Sequence, residues 1–151
     1  MNRPPLARTK RRCRTRGQAL VEFALVAPLF FALLFAVIEA GRFIYHYEML
    51  NNATRAGIRY AIIHGASSGD PTGPPADATG ADVKQAVSDA AMGLVGVGQM
   101  TIPDPTYSGP NGSSNKRGSN VTVSVSFTYS PLLPVLPPIT ISAESTGVVN
   151  N

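Results

Sequence analysis

The chain has 151 residues, a single cysteine (Cys13) and a formal charge of +4. Seven of the thirteen basic residues precede Gly17 with no acidic residue among them, whereas six basic and nine acidic residues follow it, a net of −3. The single cysteine excludes an intramolecular disulfide, and a nucleic-acid partner is not expected because the basic residues form a tail rather than a folded basic face.

The first predicted element is a membrane-spanning helix behind this basic tail. Residues 19–38 are twenty residues with one charge, Glu22. At about 1.5 Å per residue, such a helix spans roughly 30 Å, the hydrocarbon thickness of a bilayer. The positive-inside rule places the basic flank in the cytoplasm. We therefore predict a basic cytoplasmic leader over 1–17 and a transmembrane helix over 18–38, with membrane lipid as its partner.

Two other interpretations of the apolar stretch are a secretory signal peptide and a buried helix of a soluble domain. A signal peptide needs small residues at a cleavage site after its apolar core, and the residues from Ile38 to Arg42 fit that pattern poorly. The basic flank argues against a buried soluble helix.

Pro28 interrupts the predicted span. It lacks a backbone donor and its ring disfavours straight helix, at a cost of about 3 kcal/mol in a soluble helix. Membrane helices tolerate proline where neighbours or water satisfy the freed carbonyl. Pro28 therefore predicts either a simple kink or a point where the helix unwinds when subunits repack.

Helical periodicity continues beyond the membrane as far as His64. The residues spaced three or four apart are Phe43, Tyr47, Leu50, Thr54, Gly57 and Ala61. Gly65 and the Ser, Gly, Asp and Pro residues that follow it predict the end of the helix. One helix over 18–64 is therefore expected, and its extracytoplasmic continuation, 39–64, is amphipathic.

A second, shorter helix is predicted after a Gly-, Pro- and Ser-rich linker over 65–78. Thr79 and Asp82 have the spacing of a capping box, with Thr79 as the capping residue. Apolar residues then recur at helical spacing from Val83 to Val95.

The remaining elements predict a small antiparallel sheet. Residues 99–102 predict a short strand, and the Pro- and Gly-rich residues 103–119 predict a loop. Apolar and hydroxyl side chains alternate over 121–129 and over 139–143, which predicts two strands. The expected fold class is α+β, with residues 65–151 forming a small domain whose sheet packs on the outer half of the long helix.

The connection between the two long strands is unusually apolar for a turn. Its aliphatic residues, which lie between prolines, are Leu132, Leu133, Val135 and Leu136. Either the segment folds back over the core of its own domain, or it is a docking loop for a neighbouring protein or the membrane.

No residue pattern indicates catalysis or a cofactor. His46 and His64 have no second ligand at metal-binding spacing, and His46 is expected to make a polar contact at the membrane interface. Gly93, Gly96 and Gly98 follow a helix rather than opening one, unlike a dinucleotide-binding loop. We expect no enzymatic activity, metal, cofactor or small-molecule substrate.

Two stretches resemble the TadE-like family of pseudopilins, or minor pilins, of the tight-adherence (Flp-type) pilus system. The first runs from Arg16 to Phe23 and on to Pro28, and the second runs from Glu39 to Ala61. The resemblance implies a protein of the bacterial cytoplasmic membrane that takes part in pilus assembly and surface attachment. It implies as partners a prepilin peptidase, other pilin or pseudopilin subunits and the pilus assembly machinery.

The resemblance also implies a processing site between Gly17 and Gln18. Removal of the leader would make Gln18 the new N-terminus and Glu22 its fifth residue. The family often has tyrosine after this glutamate, where the present chain has Phe23.

Cleavage would give Glu22 a specific role in assembly. The new ammonium group of Gln18 is costly in a helical bundle unless a carboxylate neutralises it, and Glu22 of the same or an adjacent subunit can do so. The alternative is a Glu22 side chain that reaches the headgroup layer without a partner. The alternative for the whole chain is a permanently anchored scaffold or binding protein of the cell envelope that is neither processed nor incorporated into a filament.

Overall fold

The computed structural model describes residues 14–94, 99–110, 112–132 and 136–150, with only the backbone described at 14–16. Its helices and strands are α1 (Arg14–Ile63), α2 (Ala81–Ala90), β1 (Met100–Thr101), β2 (Thr106–Ser108), β3 (Asn120–Tyr129) and β4 (Ile139–Val148). The predicted α+β fold class is confirmed: a long N-terminal apolar helix, a short second helix and a small antiparallel sheet.

The chain divides into two compact units, Met1–Ile38 and Glu39–Asn151. In the first unit, the described residues all belong to α1, and residues 17–38, which are apolar apart from Gln18 and Glu22, are almost entirely exposed. Helix α1 contains a window long and apolar enough to cross a membrane, and none of that window is buried within the chain. A helix that is apolar on all sides requires lipid or other helices around it. Most of the basic leader, including Cys13, lies outside the described residues.

In the second unit, one face of α1 forms a wall of the core. Leu50, Thr54 and Ala61 of the predicted stripe are buried, but Tyr47 is exposed. The prediction for Tyr47 was wrong because the buried face continues one residue earlier in the turn, at His46. His46 is therefore a core residue.

Strand β3 is the centre of the sheet. Strand β4 pairs antiparallel along its whole length, from Asn120 opposite Val148 to Tyr129 opposite Ile139. Strands β1 and β2 pair with the other edge, β1 beside the C-terminal half of β3 and β2 beside its N-terminal half. The inward-facing residues of β3 are the alternating apolar residues that the sequence predicted.

Two strands differ from the sequence predictions. Strand β2 lies within residues 103–119, which were predicted to be a loop, because three residues between Pro105 and Gly109 are too few to show an alternating pattern. Strand β4 continues from the predicted end at Ala143 to Val148, through polar residues that lack an apolar alternation. In both cases β3 supplies the backbone hydrogen-bond partners.

The start of α2 also differs from the prediction. The capping-box prediction is wrong: the N-cap residue is Gly80, in the left-handed region at φ 59°, with no side-chain cap of its own. Asp77 takes over the role of Thr79, because its carboxylate accepts hydrogen bonds from the backbone N–H of Thr79 (3.0 Å), the Thr79 hydroxyl (2.8 Å) and the backbone N–H of Ala81 (2.6 Å). These bonds lower the pKa of Asp77, the Thr79 hydroxyl being the main cause.

Helix α2 ends at Ala90 rather than at the predicted Val95, which lies outside the described residues. A turn follows, and it buries Leu94 in the core. Gly93 of this turn lies so close to α1 that a β-carbon there would come within 2.6 Å of the Met49 methyl group. The turn thus brings the chain against α1, which a longer helix would not do.

Strand β3 runs antiparallel to α1. Its C-terminal residue Tyr129 is hydrogen-bonded to Glu39, and near the other end Val123 lies against Gly57. The connection from β3 to β4 therefore lies at the end of the domain where Glu39 follows the apolar stretch. This placement determines which residues can gather around Glu39.

Candidate functional site

A cluster of polar and aromatic side chains, here called the proximal cluster, forms where β3 ends on α1. Glu39 Oε1 accepts a hydrogen bond from the Tyr129 hydroxyl at 2.5 Å and from the backbone N–H of Leu132 at 3.4 Å. Glu39 Oε2 pairs with the Arg42 guanidinium at 3.2 Å. The members of the proximal cluster are Glu39, Arg42, Phe43, His46, Phe127 and Tyr129.

Aromatic contacts surround the carboxylate of the proximal cluster. The Tyr129 ring meets Phe43 edge-on at 5.6 Å, and the Arg42 guanidinium lies 5.5 Å from the centre of the same ring. His46 stacks on Phe127 at 5.5 Å. Its Nδ1 lies 2.7 Å from the Arg42 carbonyl oxygen, and since a carbonyl only accepts, Nδ1 carries the proton.

These contacts shift two pKa values in opposite directions. The Tyr129 hydrogen bond is the main reason that the pKa of Glu39 falls below its ordinary value; burial opposes the shift, and Leu132 and Arg42 add to it. Burial, followed by the hydrogen bond to Glu39, raises the pKa of Tyr129. The arrangement favours an ionised carboxylate at Glu39 and ties the end of β3 to α1.

We expect Tyr129→Phe to lower the urea midpoint of the full chain in detergent micelles more at pH 7 than at pH 3. The lowered pKa of Glu39 means that its ionised form stabilises the fold above the ordinary value of 4.5, and that this contribution is lost as the pH falls through the folded-state pKa. Near-UV circular dichroism of the tyrosines would follow unfolding.

The matched control is Tyr107→Phe. Burial raises the pKa of Tyr107 to about 12, but its hydroxyl has no hydrogen-bond partner among the described residues. Its effect on the midpoint should therefore be the same at both pH values. If Tyr129→Phe lowered the urea midpoint equally at pH 7 and pH 3, the hydrogen bond to the ionised Glu39 would not stabilise the domain.

The residues predicted to take part in processing and assembly lie in the first unit. Gly17, Gln18, Glu22 and Pro28 are all exposed on α1, which is assigned as continuous helix through the proline. Gln18 and Glu22 are four residues apart, so they share a helix face about 6 Å apart along the axis. Glu22 has no hydrogen bond or ion pair to any described side chain. The Glu22 side chain is exposed.

The predicted docking loop is only partly described. Leu132 and Leu136 are 66% and 48% exposed, so neither is buried in the core of the domain. Leu133 and Val135 lie outside the described residues. A docking role for the loop stays a prediction.

The proximal cluster was not predicted from the sequence. One local signal was available, the spacing of Glu39 and Arg42 three residues apart on a helix. Nothing in the sequence pattern indicates that Tyr129, ninety residues later, donates to Glu39. Within the described part of the chain, no group of three or more His, Cys, Asp or Glu residues could hold a metal ion.

The family model described as TadE-like protein matches residues 17–59. The match confirms the resemblance and includes Gln18, Glu22, Pro28 and the α1 part of the proximal cluster. No curated protein and no solved structure matches the chain. The family match associates the chain with the Tad (Flp-type) pilus, and with the single apolar helix of the described residues it fits a membrane-anchored protein.

Proposed function

We propose that this chain is a pseudopilin or minor pilin that takes part in assembly of a Flp-type pilus and in surface attachment, without enzymatic activity. It lies in the bacterial cytoplasmic membrane with its N-terminus in the cytoplasm and its α+β domain outside. Its partners are a prepilin peptidase, other pilin or pseudopilin subunits and the assembly machinery. The observation that carries the proposal is the family match over 17–59, which coincides with the exposed apolar helix and includes the exposed Glu22.

The charge distribution supports a processed subunit. Seven basic residues precede the processing site, and they hold the N-terminus in the cytoplasm because moving them through lipid is costly. Cleavage after Gly17 would change the formal charge from +4 to −3 and remove Cys13. The remaining helix could then leave the bilayer without drawing a basic tail through it.

The surroundings of Gly17 suit a peptidase. Helix α1 begins at Arg14, so the bond after Gly17 lies in its first turns and must unwind to enter an active site. Glycine lowers the cost of unwinding by about 1 kcal/mol relative to alanine. No other part of the described chain comes within 4 Å of a β-carbon placed at Gly17.

Intact-mass measurement of the chain purified from membranes tests the proposal. In cells that contain a prepilin peptidase we expect a mature chain beginning at Gln18, and in cells without it the full chain. Gly17→Val should abolish most of the processing because the β-branched side chain stiffens the helix and fills the space beside the scissile bond.

Gly41→Val is the matched control, since Gly41 is a second open glycine on α1, and it should be processed normally. A full-length chain in the presence of an active peptidase would favour the permanently anchored scaffold. Cleavage near Gly41 instead would contradict both functions and support a signal peptide.

A further inference from the structure

Exposed apolar side chains of the α+β domain gather at the end of the domain that contains Glu39. Three of them lie on the first turns of α1 after Ile38, one follows α2 and three lie in or beside the β3–β4 connection. They are Ile44, Tyr45, Tyr47, Met92, Leu132, Leu136 and Ile139. At the far end of the domain, only Ile63 and Val148 are large, apolar and exposed among the described residues.

Two hydrogen bonds tie the β3–β4 connection to this end. Glu39 accepts from Tyr129, the last residue of β3, and from the backbone N–H of Leu132, three residues further on. Glu39 immediately follows Ile38, the last residue of the apolar stretch. The Leu132 end of the connection therefore lies beside the residue at which the second unit begins.

The composition of the connection suits a lipid surface. Residues 130–143 contain no charged residue. Aliphatic residues and prolines make up most of the segment. Arg42, which is one-third exposed beside Glu39, is a cation at this end of the domain whose side chain can reach a lipid phosphate. Tyr45 and Tyr47, both exposed on α1, are the residue type that collects at membrane interfaces.

We propose that Leu132, Leu136 and Ile139 insert into the outer leaflet of the bilayer that holds α1, as a second, interfacial membrane contact of the domain. The occupant of this apolar surface is phospholipid, because the connection is hydrogen-bonded to Glu39, the residue that directly follows the apolar stretch in the sequence. Insertion buries apolar area and leaves Arg42 at the headgroups, as in other interfacial segments. The inference rests on the membrane anchoring within the proposed function, but on neither processing nor pilus assembly.

An environment-sensitive fluorophore on a single cysteine tests the proposal. Cys13→Ser with Leu136→Cys gives one labelled full-length chain, and Cys13→Ser with Val148→Cys gives the matched control, since both residues are 48% exposed but lie at opposite ends of the domain. Each would be reconstituted into phosphatidylethanolamine–phosphatidylglycerol vesicles containing lipids with a nitroxide on the acyl chain.

We expect blue-shifted emission and several-fold stronger nitroxide quenching at position 136 than at position 148, unchanged when the protein is diluted with lipid. Ile139→Cys provides a second position, and protease resistance of the labelled chains checks their folding.

Equal, weak quenching at 136 and 148 in a chain that stays with the vesicles would overturn this inference alone. Shielding from aqueous iodide without nitroxide quenching would overturn it in favour of a second copy or another protein, and failure of the chain to stay with vesicles would also contradict the proposed function.

Discussion

Replacing Gly57 by valine is expected to lower the free energy of unfolding of the α+β domain by about 1–3 kcal/mol, the usual cost of overpacking a core. A β-carbon at position 57 would overlap Cγ2 of Val87 and lie 3.3 Å from Cγ1 of Val123. Both neighbours are fully buried and β-branched, so neither can rotate away without strain. Gly57 therefore allows α2 and β3 to approach α1 at the same point.

The same substitution at Gly41 separates packing from helix propensity. Gly41 lies on the same helix, but no other part of the described chain comes within 4 Å of its added β-carbon. Gly41→Val should change the free energy of unfolding by only a few tenths of a kcal/mol, in the stabilising direction. Urea unfolding of the full chains in detergent micelles, followed by near-UV circular dichroism, would measure both. Equal effects at the two glycines would contradict the tight packing at Gly57.

The sequence predicted the elements that have strong periodicity. The apolar run and the three- and four-residue spacing after it predicted α1 nearly to its end at Ile63, and strict alternation predicted β3. In each case the pattern comes from one buried face, which is a local property of consecutive residues. The exposed Tyr47 shows the limit: the adjacent His46 is the buried residue, because it packs against Phe127 and Tyr129 of β3, which the local pattern does not reveal.

The remaining features depend on partners distant in the sequence. The hydrogen bond from Tyr129 to Glu39 joins residues ninety positions apart, and β2 exists because β3 offers it backbone partners. Asp77 replaces Thr79 at the start of α2 because the left-handed conformation of Gly80 brings the earlier carboxylate onto the helix N-terminus. None of these backbone placements leaves a periodic signal.

The candidate site also combines residues that a local sequence pattern identifies with contacts that only the fold reveals. Gln18 and Glu22 were identified through local residues and a family resemblance, and the family match begins at the adjacent Gly17. The apolar residues of the β3–β4 connection were also evident in the sequence, but their position beside Glu39 was not. That position turns an unspecified docking loop into a proposed lipid contact.

Glu22→Gln is expected to reduce the amount of mature chain recovered in sheared pilus fractions on the order of tenfold or more. In the proposed function, cleavage would leave an ammonium group on Gln18, one helical turn from Glu22, on a helix that is apolar on all sides. When such helices pack together, the new N-terminus leaves the hydrated headgroup layer, and an unpaired ammonium then loses its solvation without compensation. Glutamine keeps the size of glutamate and a hydrogen-bonding side chain, but it removes the negative charge that would compensate the ammonium group.

The measurement must separate processing from incorporation, because the substituted residue lies close to the scissile bond. Intact mass of the membrane-bound chain reports cleavage, and the ratio of mature chain in pilus and membrane fractions reports incorporation. Glu48→Gln is the matched control, an exposed glutamate on α1 beyond the span, and it should change neither quantity. If Glu22→Gln were processed and incorporated like the unsubstituted chain, the carboxylate would only reach the headgroup layer, and the ammonium would have to be neutralised by another group or by loss of its own proton.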